Sequence, residues 1–547
     1  MSDEQRGETP NRLSDSAVAV DRRKFMGNAL TAGAGAALAA GAAAAQQPPA
    51  RGPGGPGGAL GSDIEKRYGA AGPGGAVGVG PRLFREEQAI RHCEVDGKLP
   101  SDLKGAFFRV GPDPQFPLHQ GNIPFDGEGH VSQFLFEDGA VHYQSRYVRN
   151  ERWLAQDKAG KILFPMYRNP YMDEPEAKGK IRGTHNTHII DHNGVLLALK
   201  EDSPPAALDL YTLETVDPVY DFKGQLKSKT FTAHPKLDSH TGNLLGFGYE
   251  AKGFNTTDVN VFEYTPQGRK VWDAWVNVPY VGMIHDYAVT EHFVVFYVVP
   301  MKIDEAQMAK GGIHWSWWPG EPTYFGFLRR GGDGKDVQWI KGPERCATHV
   351  MGCFDDGKQV VIDVESSLSN PFPFMPMHDG SRWDPVKGGS IITRLSANLT
   401  EKTPKDYGIE VLYPGMLLPL PRQDDRYNTA HYRYGFGTVD LQEGGARKSG
   451  IARLDVQNRT REFWQAPQGM SVSEICHAPK NDKAPEGAGY VMAVATHAQE
   501  SNRADLVILD AEHVADGPVA TVKLPTRIVG QVHGYFVPAS RMGKKKA

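Results

Sequence analysis

Short apolar runs separated by turn residues fill the chain from about residue 85 to residue 540, and no long amphipathic helix pattern interrupts them. Runs such as "VSQFLFEDGAVHYQSRYV", "HIIDHNGVLLALKE" and "GCFDDGKQVVIDV" place a DG, NG or similar turn between two strand-like segments, the pattern of a β-hairpin. Repeated hairpins over roughly 450 residues favour a β-propeller above a single sandwich. The sequence therefore predicts an all-β protein.

Histidines recur in these hairpins as a weak internal repeat. His185, His234, His285 and His349 are each followed by a turn and then by an apolar strand. Because equivalent positions of propeller blades surround one axis, such histidines can converge on a single central point. His533, in "GQVHGYFVP", has a similar apolar setting, and the residues alone leave His185 and His533 competing for the fourth place. Neutral imidazole suits iron, zinc, copper or nickel.

Cys346, His349 and Cys353 form an alternative, local candidate for a zinc site. In a strand, residues three apart face opposite sides, and residues four apart lie on the order of 13 Å apart at about 3.3 Å per residue. These side chains therefore do not share one tetrahedral ion unless the strand breaks. With Cys93 and Cys476 the chain has four cysteines, too few for a disulfide-built scaffold but enough for one or two bridges in an oxidising compartment.

The N-terminal segment indicates export from the cytoplasm. Arg22 and Arg23 precede an uncharged Ala/Gly-rich run that ends in an A-x-A-like site near Ala45, the pattern of a twin-arginine signal peptide over residues 1–45. A membrane anchor is the alternative, but the run is only weakly hydrophobic, and nothing later resembles a transmembrane segment. We expect a mature protein without a membrane span, periplasmic or secreted, with the twin-arginine machinery as its export partner.

The segments that flank the predicted propeller carry little chemistry. Residues 46–84 are rich in glycine and proline and are expected to form a linker, and residues 541–547 are expected to form a basic tail. Lysine and arginine number 61 against 65 acidic residues, a formal net charge of −4, so no basic field points to nucleic acid as a partner. This balance is compatible with a small apolar or weakly polar substrate.

Six blocks of the sequence resemble, in order, the signature blocks of the carotenoid cleavage oxygenases: "LKGAFFRVGPDPQFP", "FDGEGHV", "FTAHPKLD", "MIHDYAVTE", "THVMGCFDDGKQVVID" and "VHGYFVP". The resemblance implies a seven-bladed β-propeller over residues 85–540, with loops or short helices that cap one Fe(II) per chain on the axis. It makes O2 the co-substrate. It assigns the iron to His234, His285, His349 and His533, and it leaves His185 and His188 outside the site.

Glutamates of that family orient the iron-binding histidines, and the resemblance places two of them at Glu201, in "LKEDSPP", and Glu474, in "SVSEICHAP". A third is expected in the block that reads "LLPLPRQDDRY" here, where Pro419 or Leu420 stands in place of an acid. This departure leaves the orienting partner of one histidine unassigned, with the aspartates of "QDDR" as candidate substitutes.

The residue before Glu201 indicates the substrate. Lys200 stands where carotenoid-cleaving members have an aromatic residue, and with "MYRNPYMDEPE" it resembles the lignostilbene dioxygenase branch, in which a lysine and a tyrosine hold the substrate's 4-hydroxyl group. That match implies catalytic roles for Lys200 and Tyr167 and ring packing for Phe125. A buried ammonium favours a phenolate, which enriches the conjugated double bond in electrons. The alternative for Lys200 is a solvated lysine at a strand end.

The resemblance therefore implies a dioxygenase that cleaves the central C=C bond of 4-hydroxystilbenes with O2 and gives two aromatic aldehydes. Cleavage of an apocarotenoid or of a 4-hydroxyphenylpropene such as isoeugenol is the enzymatic alternative, and a propeller that binds a ligand without turnover is the alternative of another class. The intact histidine blocks argue against the binding protein, while the missing third glutamate argues for it. The stretch "HWSWWPGEPTYFGF" is expected to line a lid or substrate tunnel, with blade core or a surface patch as the alternatives.

Overall fold

The computed structural model describes residues 85–119, 121–400, 407–443, 446–500 and 502–544. The predicted signal peptide and linker lie outside these described residues. Nearly all regular structure in them is β, so the all-β prediction is confirmed. Within the same ranges, no helix combines the length and the apolar character needed to cross a membrane.

The strands are short and follow one another closely along the chain. In the first half of the described residues they are β1 (Gln88–Ile90), β2 (Glu94–Gly97), β3 (Gly105–Asp113), β4 (Glu128–Glu137), β5 (Ala140–Tyr147), β6 (His188–His192), β7 (Val195–Leu199), β8 (Ala206–Leu208), β9 (Thr215–Asp217), β10 (Lys236–Leu237), β11 (Leu244–Tyr249), β12 (Asp258–Tyr264), β13 (Lys270–Asn277), β14 (Tyr287–Val289), β15 (Phe293–Val298) and β16 (Met301–Ile303). In the second half they are β17 (Trp315–Trp317), β18 (Tyr324–Arg329), β19 (Gln338–Lys341), β20 (Cys346–Asp355), β21 (Gln359–Ser367), β22 (Ile391–Asn398), β23 (Tyr407–Val411), β24 (Met416–Leu417), β25 (Arg422–Gln423), β26 (Tyr434–Glu443), β27 (Ala446–Asp455), β28 (Thr460–Gln465), β29 (Met470–Pro479), β30 (Gly489–His497), β31 (Ala504–Asp510), β32 (Pro518–Leu524) and β33 (Gly534–Pro538).

Helices are few and short in the described residues. They are α1 (Glu151–Ala159), α2 (Glu305–Ala309) and α3 (Ala539–Met542), with 3-10 turns at Pro170–Met172, Pro175–Ala177, Asp425–Tyr427 and Val514–Asp516. Asn150 begins α1 because its side chain accepts a hydrogen bond from the backbone N–H of Trp153 at 2.8 Å, and Gly160 ends it in the left-handed conformation.

Seven antiparallel sheets form the blades of a propeller, and the seven-bladed prediction is confirmed. Written from the innermost strand outward, they are β6-β7-β8-β9, β10-β11-β12-β13, β14-β15-β18-β19, β20-β21-β22-β23, β24 or β25 followed by β26-β27-β28, β29-β30-β31-β32-β2, and β33-β3-β4-β5-β1. A separate two-stranded ribbon pairs β16 with β17.

The ring of blades closes through both ends of the described chain. The C-terminal strand β33 pairs with β3, from Gly105 opposite Pro538 to Arg109 opposite Gly534. The early strand β2 pairs with β32 in the preceding blade. Two blades are therefore completed by strands distant in sequence, which makes the C-terminal segment part of the core.

Burial along the strands follows their place in the blades. The strand β5 alternates between buried and partly exposed residues, while β7, β11 and β15 are buried along almost their whole length. Trp315 and Trp317 of the β16–β17 ribbon have no exposed surface and belong to the largest apolar cluster. The alternative that this aromatic stretch forms protein core is thus confirmed for both residues.

The predicted basic tail, residues 541–547, includes residues of the last helix, α3, that are packed against the propeller. Met542 is buried, and the Arg541 guanidinium donates to the Asp191 carboxylate at 2.8 Å and contacts the Tyr535 hydroxyl at 2.9 Å. These contacts hold α3 against the first and last blades.

Candidate active site

Four histidines lie where innermost strands of four blades begin or break. His234 and His285 come two residues before β10 and β14, and His533 directly precedes β33. His349 lies inside β20, where the pairing with β21 breaks between Ala347 and Val350. Since innermost strands surround the axis, the fold brings these rings together across roughly 300 residues of sequence.

The four rings form one compact, buried cluster. One ligand atom from each residue lies within 4.8 Å of the others. The Nε2 atom of His285 lies 3.2 Å from Nε2 of His234 and 3.0 Å from Nε2 of His349. Nε2 of His533 is buried and has no hydrogen-bond partner among the described residues.

Three of the rings donate a hydrogen bond from Nδ1, the nitrogen that faces away from the cluster, to a glutamate. Nδ1 of His285 donates to Glu201, Nδ1 of His349 to Glu365 at 2.5 Å, and Nδ1 of His533 to Glu474 at 2.7 Å. Because an ionised carboxylate only accepts hydrogen bonds, the proton of each ring is on Nδ1 and the lone pair is on Nε2. Lone pairs that face one another at about 3 Å cannot hydrogen-bond, and a cation between them satisfies all of them. The cluster therefore fits a bound metal ion.

The charges around the cluster keep the rings in a metal-binding form. Burial and the neighbouring imidazoles hold the pKa of His234 and His533 well below 6.5, so both rings are neutral. Burial raises the pKa of Glu201, but the His285 imidazole and nearby cations outweigh it and hold this pKa at about 2. Glu201 is therefore a carboxylate at any physiological pH.

The block around Pro419 lacks the third glutamate, as predicted, but the aspartates suggested as its substitutes are wrong, because Glu365 of β21 contacts His349. The block around Pro419 contributes instead a backbone donor, since the N–H of Leu420 donates to Glu365 Oε2 at 3.2 Å. The candidate substitutes do not contact the histidine cluster: Asp424 pairs with Arg426, and Asp425 with Arg422. Glu365 was missed because its acid stands inside the strand "QVVIDVESS", and the only available signal is a carboxylate in an otherwise buried strand.

The structure also decides between His185 and His533. His185 contacts the Asn150 side chain at 2.5 Å and the Pro204 carbonyl at 2.8 Å, so both ring nitrogens have partners away from the cluster. The residue that continues the repeat in this blade is His188, which begins β6. The exclusion of His185 and His188 from the four-membered cluster is in agreement with the grouping found.

The local zinc site does not form. Cys346 and Cys353 are both buried, and the metal-ligand cluster in the described residues contains His349 but neither cysteine. The four cysteines are all free, so the bridges considered from the sequence are not present.

Lys200 and Glu201 follow directly after β7 and are both buried, so the alternative of a solvated Lys200 is wrong. Glu201 reaches His285, while the Lys200 ammonium donates to the Thr187 hydroxyl at 3.2 Å. In the described part of the chain, no carboxylate forms an ion pair with Lys200. The two adjacent charges thus serve different neighbours, one the histidine cluster and the other an aromatic pocket.

The aromatic pocket surrounds the Lys200 ammonium. Nζ lies 5.3 Å from the ring centroid of Tyr167 and 5.5 Å from that of Phe125. Phe374 and Phe372, which the sequence reasoning did not single out, contact the Phe125 ring edge to face at 5.3 and 6.4 Å. The structure therefore brings the predicted residues Lys200, Tyr167 and Phe125 together beside Glu201.

Protonation in this pocket differs from that in water. Burial lowers the pKa of Lys200 and outweighs the opposing effect of the Asp202 and Glu201 carboxylates. Burial, reinforced by the charge of Glu201, raises the pKa of Tyr167 well above 10. Tyr167 is therefore a neutral hydrogen-bond donor, and the Lys200 ammonium releases its proton more readily than that of an exposed lysine.

Residues 82–538, which include all of these side chains, match the family described as RPE65, retinal pigment epithelial membrane protein. The chain belongs to the RPE65/carotenoid oxygenase family. The resemblance to carotenoid cleavage oxygenases is thereby confirmed. All four clustered histidines and their three glutamates lie inside the matched range.

Relatives in the RPE65/carotenoid oxygenase family share most of the chain. Lignostilbene-α,β-dioxygenase isozyme III of Sphingomonas paucimobilis is 37% identical, over 84% of this chain and 96% of the relative. Isoeugenol monooxygenase of Pseudomonas putida is also 37% identical, over 83% of this chain and 95% of the relative. The crystal structure of Pseudomonas brassicacearum lignostilbene dioxygenase superposes with a TM-score of 0.79 at 36% identity, covering 84% of this chain and 97% of that one.

Proposed function

We propose that the protein is a non-haem Fe(II) dioxygenase that cleaves the central C=C bond of 4-hydroxystilbenes with O2 and releases two aromatic aldehydes. One observation carries the proposal: the buried Lys200 ammonium faces two aromatic rings, has no ion-paired carboxylate among the described residues, and adjoins the glutamate that holds His285. A relative of this family named lignostilbene dioxygenase supports the same substrate class.

The four clustered histidines would hold one Fe(II). Neutral imidazoles leave the ion its double positive charge, and three glutamates fix the rings and balance that charge. Imidazole alone does not distinguish iron from zinc, copper or nickel, and family membership is the reason to choose iron. When bound, iron supplies the activation of O2.

Lys200 is proposed to hold the 4-hydroxyl group of the substrate as a phenolate. A buried ammonium that forms no direct ion pair is costly, and a phenolate oxygen at Nζ reduces that cost. The Lys200 ammonium attracts the phenolate and so favours ionisation of the phenol, whose proton passes to water as the substrate binds. The neutral Tyr167 hydroxyl donates a hydrogen bond to the same oxygen and stabilises its negative charge.

The aromatic rings are proposed to orient the substrate and exclude water. Phe125, with Phe372 and Phe374 packed against it, offers ring faces and edges on which an aryl group packs. Negative charge on the phenolate then spreads through the ring into the alkene and makes it more reactive toward oxygen. The broken C=C bond supplies all four electrons that reduce O2 to two carbonyl oxygens, so no external reductant enters.

A 4-hydroxyphenylpropene is a second candidate substrate. It has the same para-phenol and conjugated double bond, and the relative named isoeugenol monooxygenase is as similar in sequence as the dioxygenase. Lys200 and Tyr167 favour either phenol over an apocarotenoid, which has no acidic phenol for the ammonium to hold as an anion.

Product analysis with resveratrol, isoeugenol and an apocarotenal tests the proposal. We expect wild-type protein with bound iron to cleave resveratrol, and Lys200→Met to lose cleavage of phenolic alkenes while keeping its iron. Lys302→Met is a matched control, since Lys302 also faces two rings, at 4.4 Å from Trp318 and 5.1 Å from Tyr280, and contacts no residue of the proposed site. It should retain wild-type turnover.

Two outcomes would overturn the proposal. Purified protein without iron and without O2 uptake on any of the three substrates would favour a binding protein that lacks turnover. Cleavage of the apocarotenal alone, unaffected by Lys200→Met, would show that the lysine does not bind a phenol.

We also propose that residues 1–45 direct twin-arginine export and are then removed, leaving the protein periplasmic or secreted. The paired Arg22 and Arg23 before an Ala/Gly-rich run support this. N-terminal sequencing of the mature protein tests it, and a chain that retains both arginines would contradict it.

A further inference from the structure

A fifth histidine lies beside the cluster at the equivalent position of a fifth blade. His188 begins β6, the innermost strand of the blade between those that supply His533 and His234. Its ring centroid lies 5.5 Å from that of His533 and 5.6 Å from that of His234. His188 is therefore in contact with two of the four proposed ligands without being one of them.

The free atom of this ring is its metal-binding nitrogen. His188 is only 4% exposed, and its Nδ1 donates to the Ala233 carbonyl at 2.8 Å. Because a carbonyl only accepts, the Nδ1 position carries the proton and Nε2 carries the lone pair. Nε2 has no hydrogen-bond partner among the described residues. Buried polar atoms normally have partners, so this nitrogen, which lies at the wall of a cavity, is available to a water molecule or a metal ion there.

A small polar cavity adjoins both His188 and the cluster. It has a volume of about 40 Å3, and His188, His234 and His533 are among its lining residues. At roughly 10–15 Å3 for each water molecule, it holds about three of them. The cavity therefore has room for a hydrated or partly hydrated metal ion.

The charged residues of this cavity lie in pairs along its wall. Lys236 donates to Asp286 at 2.8 Å, and Arg422 donates to Asp425 at 3.0 Å and lies 3.7 Å from Glu474. Three carboxylates against two cations leave one net negative charge.

The aromatic pocket beside Glu201 has a different character. Lys200 there presents a positive charge, surrounded by the rings of Phe125 and Tyr167. A hydrated dication is repelled by an ammonium and finds few oxygen ligands among aromatic rings, whereas carboxylates and an imidazole replace its waters one by one.

We propose that the polar cavity is the route by which the metal ion enters and leaves the cluster, and that His188 Nε2 binds the ion transiently on this route. The inference rests on the proposed metal centre and not on the proposed substrate. A hydrated divalent cation exchanges water for His188, then passes to the four permanent ligands. His188 acts on the rate of metal exchange and leaves the equilibrium affinity unchanged.

His188→Asn removes the Nε2 ligand and keeps a side-chain donor near the position of Nδ1, so that the bond to Ala233 can persist. His192→Gln is the matched control, because His192 lies in the same strand, contacts the Thr265 carbonyl through Nε2 at 3.0 Å and also has a buried, unpartnered ring nitrogen. It does not line the cavity. Both variants thus change one buried histidine of β6 with a similar hydrogen-bonding pattern.

The measurement is iron release from the full-length, iron-loaded protein into an excess of a coloured Fe(II) chelator, followed by uptake of Co(II), whose visible bands report its ligands. We expect His188→Asn to slow release and uptake by the same factor, on the order of tenfold, the scale on which residues around a metal site change its metal binding. The amount of metal bound and the Co(II) spectrum should remain those of wild type, and His192→Gln should exchange metal at the wild-type rate.

A second variant tests the route without touching His188. Asn428 is a partly exposed residue of the cavity wall, and Asn428→Trp should narrow the cavity and slow exchange in the same way. Wild-type exchange rates in both His188→Asn and Asn428→Trp would overturn the inference. Altered Co(II) bands or lost metal in His188→Asn would also overturn it, since His188 would then be a permanent ligand. If wild-type protein binds no metal, the proposed function itself fails.

Discussion

Replacing Glu365 tests whether this carboxylate, rather than the aspartates near Pro419, holds the His349 ring. Glu365 is 1% exposed, and its Oε2 accepts from His349 Nδ1 at 2.5 Å and from the Leu420 N–H at 3.2 Å. Glu365→Gln keeps the shape and one acceptor oxygen but removes the charge. Glu365→Ala removes both acceptors, so the two variants separate the effect of charge from the effect of the hydrogen bonds.

The magnitudes follow from these two bonds. Loss of a residue that orients a metal-bound histidine costs about 10–100-fold in metal affinity. A charge-assisted hydrogen bond is about twice as strong as a neutral one, so Glu365→Gln should lie near the tenfold end, about 1.4 kcal/mol. Glu365→Ala should lie near the hundredfold end. It also leaves two buried N–H groups without an acceptor, at about 1–3 kcal/mol each, and should lower the free energy of unfolding by about 2–6 kcal/mol.

The assay is a competition for Fe(II) between the protein and a chelator of known affinity, with urea unfolding of the metal-free protein as the stability measurement. Asp424→Asn is the control, because Asp424 pairs with Arg426 at 2.6 Å and contacts none of the four clustered rings. It should leave metal affinity unchanged. Wild-type affinity in Glu365→Ala, or a tenfold loss in Asp424→Asn, would refute the assignment of Glu365 as the third orienting glutamate.

Three further results are expected. Tyr167→Phe should lower kcat/KM for a 4-hydroxystilbene about 100-fold, the usual effect of removing a hydrogen-bond donor to developing negative charge. The measurement is the rate of aldehyde formation. An unchanged kcat/KM would show that this hydroxyl does not bind the phenol. Burial raises the pKa of the Cys346 thiol above its ordinary range and that of Cys353 to about 12, so iodoacetamide should label neither in native protein by mass spectrometry, and Cys353→Ala should keep its metal. Burial raises the pKa of Asp126 from 3.8 to about 6, so the stability that its protonated form contributes is present below pH 3.8 and is lost as the pH rises through 6. The free energy of unfolding should therefore decline by about 3 kcal/mol between those pH values, at 1.36 kcal/mol per pKa unit. Asp126→Asn should remove this decline, as measured by urea unfolding.

The fold can largely be predicted from the sequence because most strands of a blade pair with their neighbours along the chain. Adjacent strands of a blade are mostly joined by tight turns, and the hairpin around "EDGA" pairs β4 with β5 just as its turn predicts. The ring closure is not local. Nothing in the residues of β33 indicates that they pair with β3, more than 400 positions earlier, and the same holds for β2 and β32.

The histidine repeat shows how accurately a sequence repeat predicts which residues share a site. Three of its four members lie in the cluster, because similar positions before or within innermost strands become neighbours around an axis. The prediction for His185 is wrong because β6 begins three residues later, at His188. A shift of this size cannot be detected when the boundary of a strand is uncertain by two to four residues.

The Glu365 result shows a different limit. His349 and Glu365 lie on adjacent strands of one blade, so their contact depends on the register of β20 against β21, which is broken twice near His349. A two-residue period would predict the wrong face for one of the partners at such a break. The resemblance placed the acid in another blade, where the chain offers a backbone N–H from Leu420 instead.

Lys200 and Glu201 show why an adjacent pair can serve two sites. Neighbours in a regular strand would point to opposite faces, with one side chain pointing away from the axis. Because β7 ends at Leu199, the alternation of a regular strand does not apply to Lys200 and Glu201. Glu201 contacts His285, while Lys200 lies in the aromatic pocket. The proposed phenol site and the histidine cluster are thus joined through one peptide bond. A backbone shift that moves Lys200, the lysine proposed to bind the phenol, therefore also moves the carboxylate that contacts His285, so substitutions in the turn after Lys200 should change metal affinity and phenol specificity together.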